Sequence, residues 1–285
     1  MENWKKWAIG MGVGLTLSLS ALGVGGYVYR NEIKEFFFPV YKGKTFRVAQ
    51  WNTQALGDSK ASRPELMKGY AERLSQYDVA FVQEIRYDSD KKKKKRQIDS
   101  SNGPFEKLCE LMPGYEHRIS SRAGRSVSKE QYAVFCKRGI EIEEFKDFNP
   151  DEQNRWERPP VKVTFKVGNY RFATYNIHTK PTDTPNEIRN LENVVEDRGN
   201  VMVLGDLNAS GSYYKRREHN DFSVWHWIIK DTDDTTVAKS RNAYDRFILN
   251  RDAFREFIEK GIDTNVTKDV SDHYLVWVKM AAQER

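Results

Sequence analysis

Short apolar runs alternate with polar segments along most of the chain, and each run has roughly the length of a β-strand. Two of these runs, 161–167 and 170–177, alternate apolar and polar residues on either side of Gly168-Asn169, which predicts a β-hairpin. Apolar residues at helical spacing begin after Ser62 and again after Thr184. Strands and helices are mixed and hairpins are frequent. The pattern therefore predicts an α+β fold with mixed sheets rather than a regular parallel βαβ array.

The first predicted helix opens with a capping box, Ser62-Arg63-Pro64-Glu65, and runs to about Ser75. A second helix starts near Pro104 and ends before Pro113-Gly114, and a third opens at Thr184. The inner face of the first helix is predicted to carry Leu66, Met67, Tyr70 and Leu74. The predicted strands are Phe46–Trp51, Asp78–Val82, Tyr115–Ser120, Gln131–Lys137, Val161–Val167, Tyr170–Ile177, Val201–Leu204, Ala243–Leu249 and Tyr274–Val278.

The N-terminal segment is unlike the rest of the chain. Ala8–Tyr29 carries no charge and is long enough to span a bilayer, so residues 1–30 are predicted to be an uncleaved membrane anchor. A cleaved signal peptide is the alternative, because Ala21-Leu22-Gly23 resembles a small-x-small cleavage site. Residues 31–44 are predicted to be a linker, and residues 45–285 one domain. We expect that domain to be exported, periplasmic or extracellular, and secreted if the segment is cleaved.

Charge and cysteine content narrow the possibilities only slightly. The net charge of +6 suits an anionic partner such as nucleic acid or a membrane surface, or simply a solvated basic surface. A basic run, Lys91–Arg96, could contact DNA phosphates, anionic lipid or only solvent. Cys109 and Cys136 are predicted to be free thiols, with a single disulfide as the alternative. This is not a disulfide framework.

Polar residues cluster where the predicted strands end or begin. Three of these residues are carboxylates, Glu84, Asp206 and Asp272, which would repel one another in one cleft unless a hard cation lay between them. Oxygen ligands of this kind suit Mg²⁺ or Mn²⁺. Two imidazoles, His178 and His273, could then act as general base and general acid. The predicted reaction is hydrolysis of a phosphate ester. The clusters are Trp51-Asn52, Gln83-Glu84, Asn176-Ile177-His178, Gly205-Asp206-Leu207-Asn208, Tyr244-Asp245-Arg246 and Ser271-Asp272-His273.

In this order the blocks resemble the endonuclease/exonuclease/phosphatase superfamily, and within it the deoxyribonuclease I-like branch. The resemblance covers about Thr45 to Met280 and implies a four-layered sandwich, with two mixed β-sheets face to face and helices outside. It rests on the blocks Tyr77–Arg86, Lys129–Tyr132, Val201–Asn208 with Ser212-Tyr213, Ala243–Arg246 and Ser271–Tyr274.

The resemblance also implies roles for individual residues. Glu84 would be the principal Mg²⁺ ligand, with Asn52 and Asp272 nearby. Asp206 and Asn208 would hold the scissile phosphate and its attacking water, with a second metal ion as an option. The remaining implied roles are pairing of His178 with Glu130 and of His273 with Asp245, a phosphate contact by Arg158, a DNA contact by Arg86, and a structural Ca²⁺ site at Asp234, Thr236, Ala238 and Ser240.

Two departures from the branch affect these expectations. The tyrosine that precedes the Lys-Glu pair in deoxyribonuclease I-like proteins is replaced here by Ser128. Gly211 and Asn242 stand where that branch has paired cysteines. Groove binding is therefore expected to be weaker or differently made, and the disulfide has no counterpart.

The predicted function is that of a divalent-metal-dependent endonuclease acting on DNA, with no obligate protein partner and a membrane contact through residues 8–29. The same chemistry also serves phosphoesterases that act on a phosphoinositide, on sphingomyelin or on a nucleotide. A nuclease like the catalytic subunit of cytolethal distending toxin shares the motifs as well. A binding protein with an inactive site is the third class, against which the complete set of residues argues.

Overall fold

The computed structural model describes residues 44–87, 103–125 and 129–282. The predicted anchor, almost all of the linker and the basic run Lys91–Arg96 lie outside these residues. Within them, no helix is long and apolar enough to cross a membrane.

The strands of the described part form two six-stranded sheets. Two sheets are what the family resemblance implies. In the first sheet the order is β11 (Phe257–Asp263), β12 (Leu275–Ala281), β1 (Thr45–Leu56), β2 (Val79–Ile85), β4 (Gln131–Lys137) and β3 (Tyr115–Ile119). In the second sheet the order is β5 (Glu141–Asp147), β6 (Val161–Val167), β7 (Tyr170–Asn176), β8 (Asn200–Asp206), β10 (Asp245–Leu249) and β9 (His226–Trp227).

Both sheets are mixed, and each contains one parallel pair of strands. β1 runs parallel to β2, and β7 runs parallel to β8, while the other pairs are antiparallel. The predicted hairpin is confirmed, because β6 and β7 pair in a register that places Val167 opposite Tyr170. A parallel pair needs a helical crossover, and the segments between these strands supply one in each sheet.

The helices cover the outer faces of the sheets, which gives four layers. The first sheet carries α1 (Asp58–Ala61), α2 (Pro64–Leu74) and α3 (Pro104–Leu111), and the second carries α4 (Thr184–Glu192). A short helix, α5 (Arg251–Arg255), follows β10. Between the sheets lies an apolar layer in which Phe46 stacks on Phe172 and Phe81 meets Phe165 edge to face. This tightly packed layer fixes the position of one sheet on the other.

Two sequence predictions need correction. The capping box is wrong, since Arg63 is the N-cap of α2 and no side chain caps the helix there. Pro64 occupies the first turn instead, where its missing N–H costs nothing. Strands β5 and β11 were not predicted, because as edge strands they expose charged side chains and lack a continuous apolar run. The two cysteines are free thiols, as predicted.

Candidate active site

The predicted polar clusters meet at one edge of the sandwich. Asn52 lies on β1 and Glu84 on β2, and His178 and Asp206 lie at the corresponding ends of β7 and β8. Because parallel strands place their carboxyl ends at the same edge of a sheet, the two parallel pairs bring these side chains together. Asn52 donates hydrogen bonds from Nδ2 to Glu84 Oε1 at 3.1 Å and to Asp206 Oδ2 at 3.0 Å, which joins the two sheets.

One carboxylate oxygen, Oδ2 of Asp206, lies at the centre of this cluster. Nε2 of His178 is 3.5 Å from it, and Nε2 of His273 is also 3.5 Å from it. The second oxygen of Asp206 accepts a hydrogen bond from the backbone N–H of Asn208 at 3.0 Å. The Nε2 atoms of the two imidazoles are therefore equally distant from one carboxylate oxygen.

Each imidazole is held from behind by a buried carboxylate. Nδ1 of His178 is 2.6 Å from Oε1 of Glu130, and Nδ1 of His273 is 2.8 Å from Oδ2 of Asp245. Glu130 and Asp245 are both fully buried. In each pair one residue adjoins the first sheet and the other the second, because Glu130 and His273 precede β4 and β12, while His178 follows β7 and Asp245 begins β10. Because Nδ1 is occupied in both, Nε2 is the ring atom that can exchange a proton with a ligand.

The electrostatics of the cluster change the pKa of each imidazole and of the neighbouring carboxylates, and burial raises the pKa of Asp245 despite its contact with His273. Burial lowers the pKa of His273, but Asp245 and Asp206 outweigh it and raise that pKa to about 10. Burial and Arg158 lower the pKa of His178, yet Glu130 and Asp206 raise it overall. Burial raises the pKa of Asp206, and the two imidazoles more than reverse this shift. These shifts favour a proton on His273 rather than on Asp206.

Two arginines lie behind the His178 pair. Arg158 is buried and donates from Nε to the carbonyl of His178 at 3.0 Å and from an Nη to that of Thr179 at 2.8 Å, while its Nε lies 3.5 Å from Glu130. Arg86 lies against Glu84 at 2.6 Å and 3.5 Å from Glu130. Burial raises the pKa of Glu130, but His178 and Arg158 bring it below its usual value. The guanidinium of Arg86 points into the site in this structure, so its predicted DNA contact stays a prediction.

The backbone at this edge requires special residues. Gly205, directly before Asp206, has a φ of 135°, and a Cβ there would lie 2.0 Å from the carbonyl oxygen of Ile177. Only glycine fits this position. Glu84 and Asn208 also have positive φ values, 62° and 47°. Side chains held in this uncommon conformation mark a site where the surrounding structure fixes the backbone.

The donor set fits a hard divalent cation. Glu84, Asp206 and Asp272 carry carboxylate oxygens, although in the described structure their ligand atoms do not all lie within 4.8 Å of one another, and Oε2 of Glu130 is buried without a hydrogen-bond partner. Arg86 provides the positive charge beside Glu84 in this structure. Asn52 directs its Nδ2, not its Oδ1, toward the carboxylates, so it would have to turn its amide to become a ligand.

A tighter group of possible ligand atoms is formed by Glu84, Glu130 and His178, which lie within 4.8 Å of one another. Glu130 and His178 already bond to each other through Oε1 and Nδ1. Glu84 is thus the member of this group that is not bonded to another member, and its role as a metal ligand stays a prediction. Asp272 is half-exposed at the mouth of the site, with Oδ1 3.9 Å from Nε2 of His273.

The predicted Ca²⁺ residues lie in one turn. Oδ1 of Asp234 is within hydrogen-bond distance of Thr236 N and Oγ1 and of the backbone N–H of Asn242, and Thr236 Oγ1 is 3.2 Å from the carbonyl of Ser240. Ala238 could contribute only its carbonyl. The turn is closed by its own hydrogen bonds, and Ca²⁺ there stays a prediction.

Lys60 is a residue beside the site that was not predicted from the sequence. Its Nζ donates to the carbonyls of Thr53 at 2.8 Å, Gln54 at 2.6 Å and Val270 at 2.7 Å. It thereby ties the end of β1, just after Asn52, to the segment just before Asp272. Burial lowers the pKa of Lys60, and the charges of Asp272 and Glu84 oppose that shift. Its partners are backbone atoms far apart in the chain, so no local motif announces it.

The fold and the two His–carboxylate pairs around one aspartate define a hydrolase of phosphate esters. A family model described as the Endonuclease/Exonuclease/phosphatase family matches residues 49–273, and the chain belongs to that family. Deoxyribonuclease-1 of Gallus gallus is 28% identical over 271 residues, covering 84% of this chain and 93% of that protein.

Solved structures share the fold at lower sequence identity. An endonuclease/exonuclease/phosphatase family protein from Leptotrichia buccalis C-1013-b has a TM-score of 0.61 and 19% identity, covering 82% of this chain and 99% of that one. A mannosyl-6-phosphatase from Bacteroides thetaiotaomicron has a TM-score of 0.56 and 15% identity, covering 82% and 98%.

Proposed function

We propose that the chain is a divalent-metal-dependent endonuclease that hydrolyses phosphodiester bonds of DNA. One observation carries the proposal: the Nε2 atoms of His178 and His273 each lie 3.5 Å from the same oxygen of Asp206. A phosphodiester at that point would have one imidazole on the side of the attacking water and the other on the side of the leaving oxygen. Its similarity to deoxyribonuclease-1 over most of both chains favours DNA as the substrate.

Each residue of the site has its own role in the proposed reaction. One histidine, in its neutral form, takes a proton from the attacking water, and the other, in its protonated form, gives a proton to the leaving oxygen, with Glu130 and Asp245 orienting the rings. Asn208 and Asp206 position the phosphate and the water. Glu84, with Asp206, Asp272 and a turned Asn52, would hold Mg²⁺ or Mn²⁺. Such an ion, when bound, neutralises the phosphate and stabilises the developing charge on the leaving oxygen.

A second candidate is a phosphoesterase acting on a smaller substrate. The observation that favours it is the fold shared with a mannosyl-6-phosphatase at a TM-score of 0.56. A phosphoinositide, sphingomyelin or nucleotide would use the same histidines and the same metal ligands. The two candidates therefore differ in substrate and not in site chemistry. If the predicted anchor at residues 8–29 is retained, a lipid substrate would lie close by.

The test is a substrate panel with the full chain. Supercoiled plasmid, a phosphoinositide, sphingomyelin and a nucleotide are each incubated with Mg²⁺, with Mn²⁺ and with EDTA, beside a Glu84→Ala variant. The proposal expects plasmid to be nicked and then linearised with metal only, and the variant to be inactive. Intact plasmid together with turnover of a lipid or nucleotide would replace DNA with that substrate. Cleavage that persists in EDTA would contradict the metal dependence.

A further inference from the structure

A basic cavity of about 400 Å³ opens directly beside the site. Its wall begins at Ala209, the residue after Asn208, and continues through Gly211 to Lys215, Arg216 and Arg217. We use the name basic cavity for this space. Its volume is in the range of cavities that bind small ligands, so it is large enough for a nucleotide-sized group. None of its three cations belongs to the site described above.

The positive charge of the basic cavity is only partly neutralised. Of its two acidic residues, Asp231 pairs with the buried Arg246 at 2.8 Å and Glu218 pairs with Lys215 at 3.3 Å. Arg216 lies over the ring of Trp227 at 4.9 Å. Among the residues that the structure describes, no carboxylate lies within ion-pair distance of Arg216 or Arg217. Two guanidinium groups are therefore available for an anion, and their planar fork matches the oxygens of a phosphate.

An aromatic pair connects the basic cavity to the catalytic histidine. The ring of Tyr244 lies 6.3 Å from that of His273 and 5.7 Å from that of Tyr213. Tyr213 is exposed, and Gly211, on the cavity wall, lies against Tyr244 and Asn242. A strand leaving the site along this wall would pass the two tyrosines before it reaches the arginines.

We propose that the basic cavity binds backbone phosphates of the DNA strand beside the bond that is hydrolysed. This inference rests on the proposed function, because it takes DNA as the substrate. It assigns Lys215, Arg216 and Arg217 to substrate binding, a role that no motif in the sequence indicates. Since each neutralised phosphate releases counterions, these contacts make the affinity depend on salt.

The test measures DNA binding separately from cleavage. Binding of a fluorescein-labelled duplex is followed by anisotropy in EDTA at several KCl concentrations, for the full chain and for a Lys215→Gln/Arg217→Gln double variant. Both side chains are exposed, so the variant should fold. We expect Kd to rise about 10-fold near 100 mM KCl and the slope of log Kd against log salt to fall by about 2, which is one unit for each lost phosphate contact.

A matched control removes the same charge at the other end of the strands of the second sheet, away from the site. Arg251→Gln/Arg255→Gln lies on α5, after the end of β10 that is distant from Asp245. Its Kd and salt slope should equal those of the wild type. The inference is overturned if the Lys215/Arg217 variant binds like the wild type, or if the control loses as much affinity. Plasmid cleavage is measured in parallel, so wild-type protein that binds but never cleaves would refute the nuclease and not the binding surface.

A modified substrate sharpens the result. Single methylphosphonate groups are placed one at a time along one strand, each removing one phosphate charge. Wild-type binding should weaken at one or two positions beside the scissile bond, and the double variant should not respond at those positions. The inference fails if the double variant remains as sensitive as the wild type at the same phosphates.

Discussion

The two histidine pairs look alike from the centre of the site and differ in what holds them. His178 and His273 lie at the same distance from Asp206, and each is backed by a fully buried carboxylate. Behind His178 stands Arg158, which binds the carbonyl of His178 itself. No comparable cation is among the main influences on His273, whose pKa is set by burial and by carboxylates.

The cation on the other side acts through the backbone. Lys60 binds the carbonyl of Val270, three residues before His273, and two carbonyls at the end of β1, just after Asn52. One pair is thus held by a charge that touches its own carboxylate, and the other by a lysine that fixes the surrounding loops. The two imidazoles thus lie at the same distance from Asp206 although different kinds of contact hold them in place.

The largest expected effect comes from removing either imidazole. His178→Ala and His273→Ala should each lower the rate of plasmid cleavage by about 10²–10⁴-fold, because general acid–base catalysis contributes an effect of this size. The measurement is kcat at saturating Mg²⁺. His226→Ala, whose imidazole stacks on Phe254 outside the site, serves as the control and should keep full activity. Near-full activity of either site variant would remove that histidine from the proposed pair.

Arg158→Met should be the most damaging change to stability. It leaves the buried Glu130 without the cation at 3.5 Å, and removing one partner of a buried ion pair costs about 3–5 kcal/mol. The free energy of unfolding is measured in urea. Arg171→Met, which breaks an exposed pair with Glu143, should cost far less, because solvent screens the two charges. Equal losses in the two variants would mean that the His178 pair is not specially braced.

The third effect is a pH dependence of stability without metal. The folded pKa of His273 is raised to about 10, well above its unfolded value of 6.5. Its contribution to stability is therefore complete below pH 6.5 and is lost as the pH rises toward 10. In EDTA, the stability advantage of the wild type over His273→Gln should shrink across this range. An advantage that stays constant would show that Asp245 and Asp206 do not hold a proton on the ring.

The smallest effect is expected at Lys60. Lys60→Met should raise the Mg²⁺ concentration needed for half-maximal activity by about 10-fold, because residues that orient metal ligands typically change metal affinity by this much. The control is Lys107→Met, since Lys107 also binds a backbone carbonyl, that of Ala61, but not the site loops. A change in kcat with no change in Mg²⁺ requirement would contradict the positioning role.

The sequence predicted the elements that carry their own signal. The continuous apolar run of β2 and the Gly-Asn hairpin between β6 and β7 were read correctly. Edge strands β5 and β11 were missed, because their exposed charged residues resemble a loop. The capping box failed because a proline at the start of α2 fulfils the same need.

Site residues were predicted from the sequence where their own chemistry is distinctive, and not where their role depends on the folded structure. Residues with distinctive chemistry, such as His178, His273 and Asp206, stood out at strand ends and meet in the structure. Lys60 did not, since it acts on carbonyls from positions 53, 54 and 270 that only folding brings together. Arg217 did not either, because its significance depends on the cavity that it lines.

Metal-dependent cleavage of DNA by the two histidines is tested most directly by nicking of supercoiled plasmid. The full chain is assayed as the Mg²⁺ concentration is raised from zero. Wild-type protein, a His178→Ala/His273→Ala double variant and an EDTA control are compared at equal concentration. We expect metal-dependent nicking by the wild type, and no nicking by the double variant or in EDTA. Plasmid that stays supercoiled with the wild type at every Mg²⁺ concentration, or nicking by the double variant at the wild-type rate, would contradict this expectation.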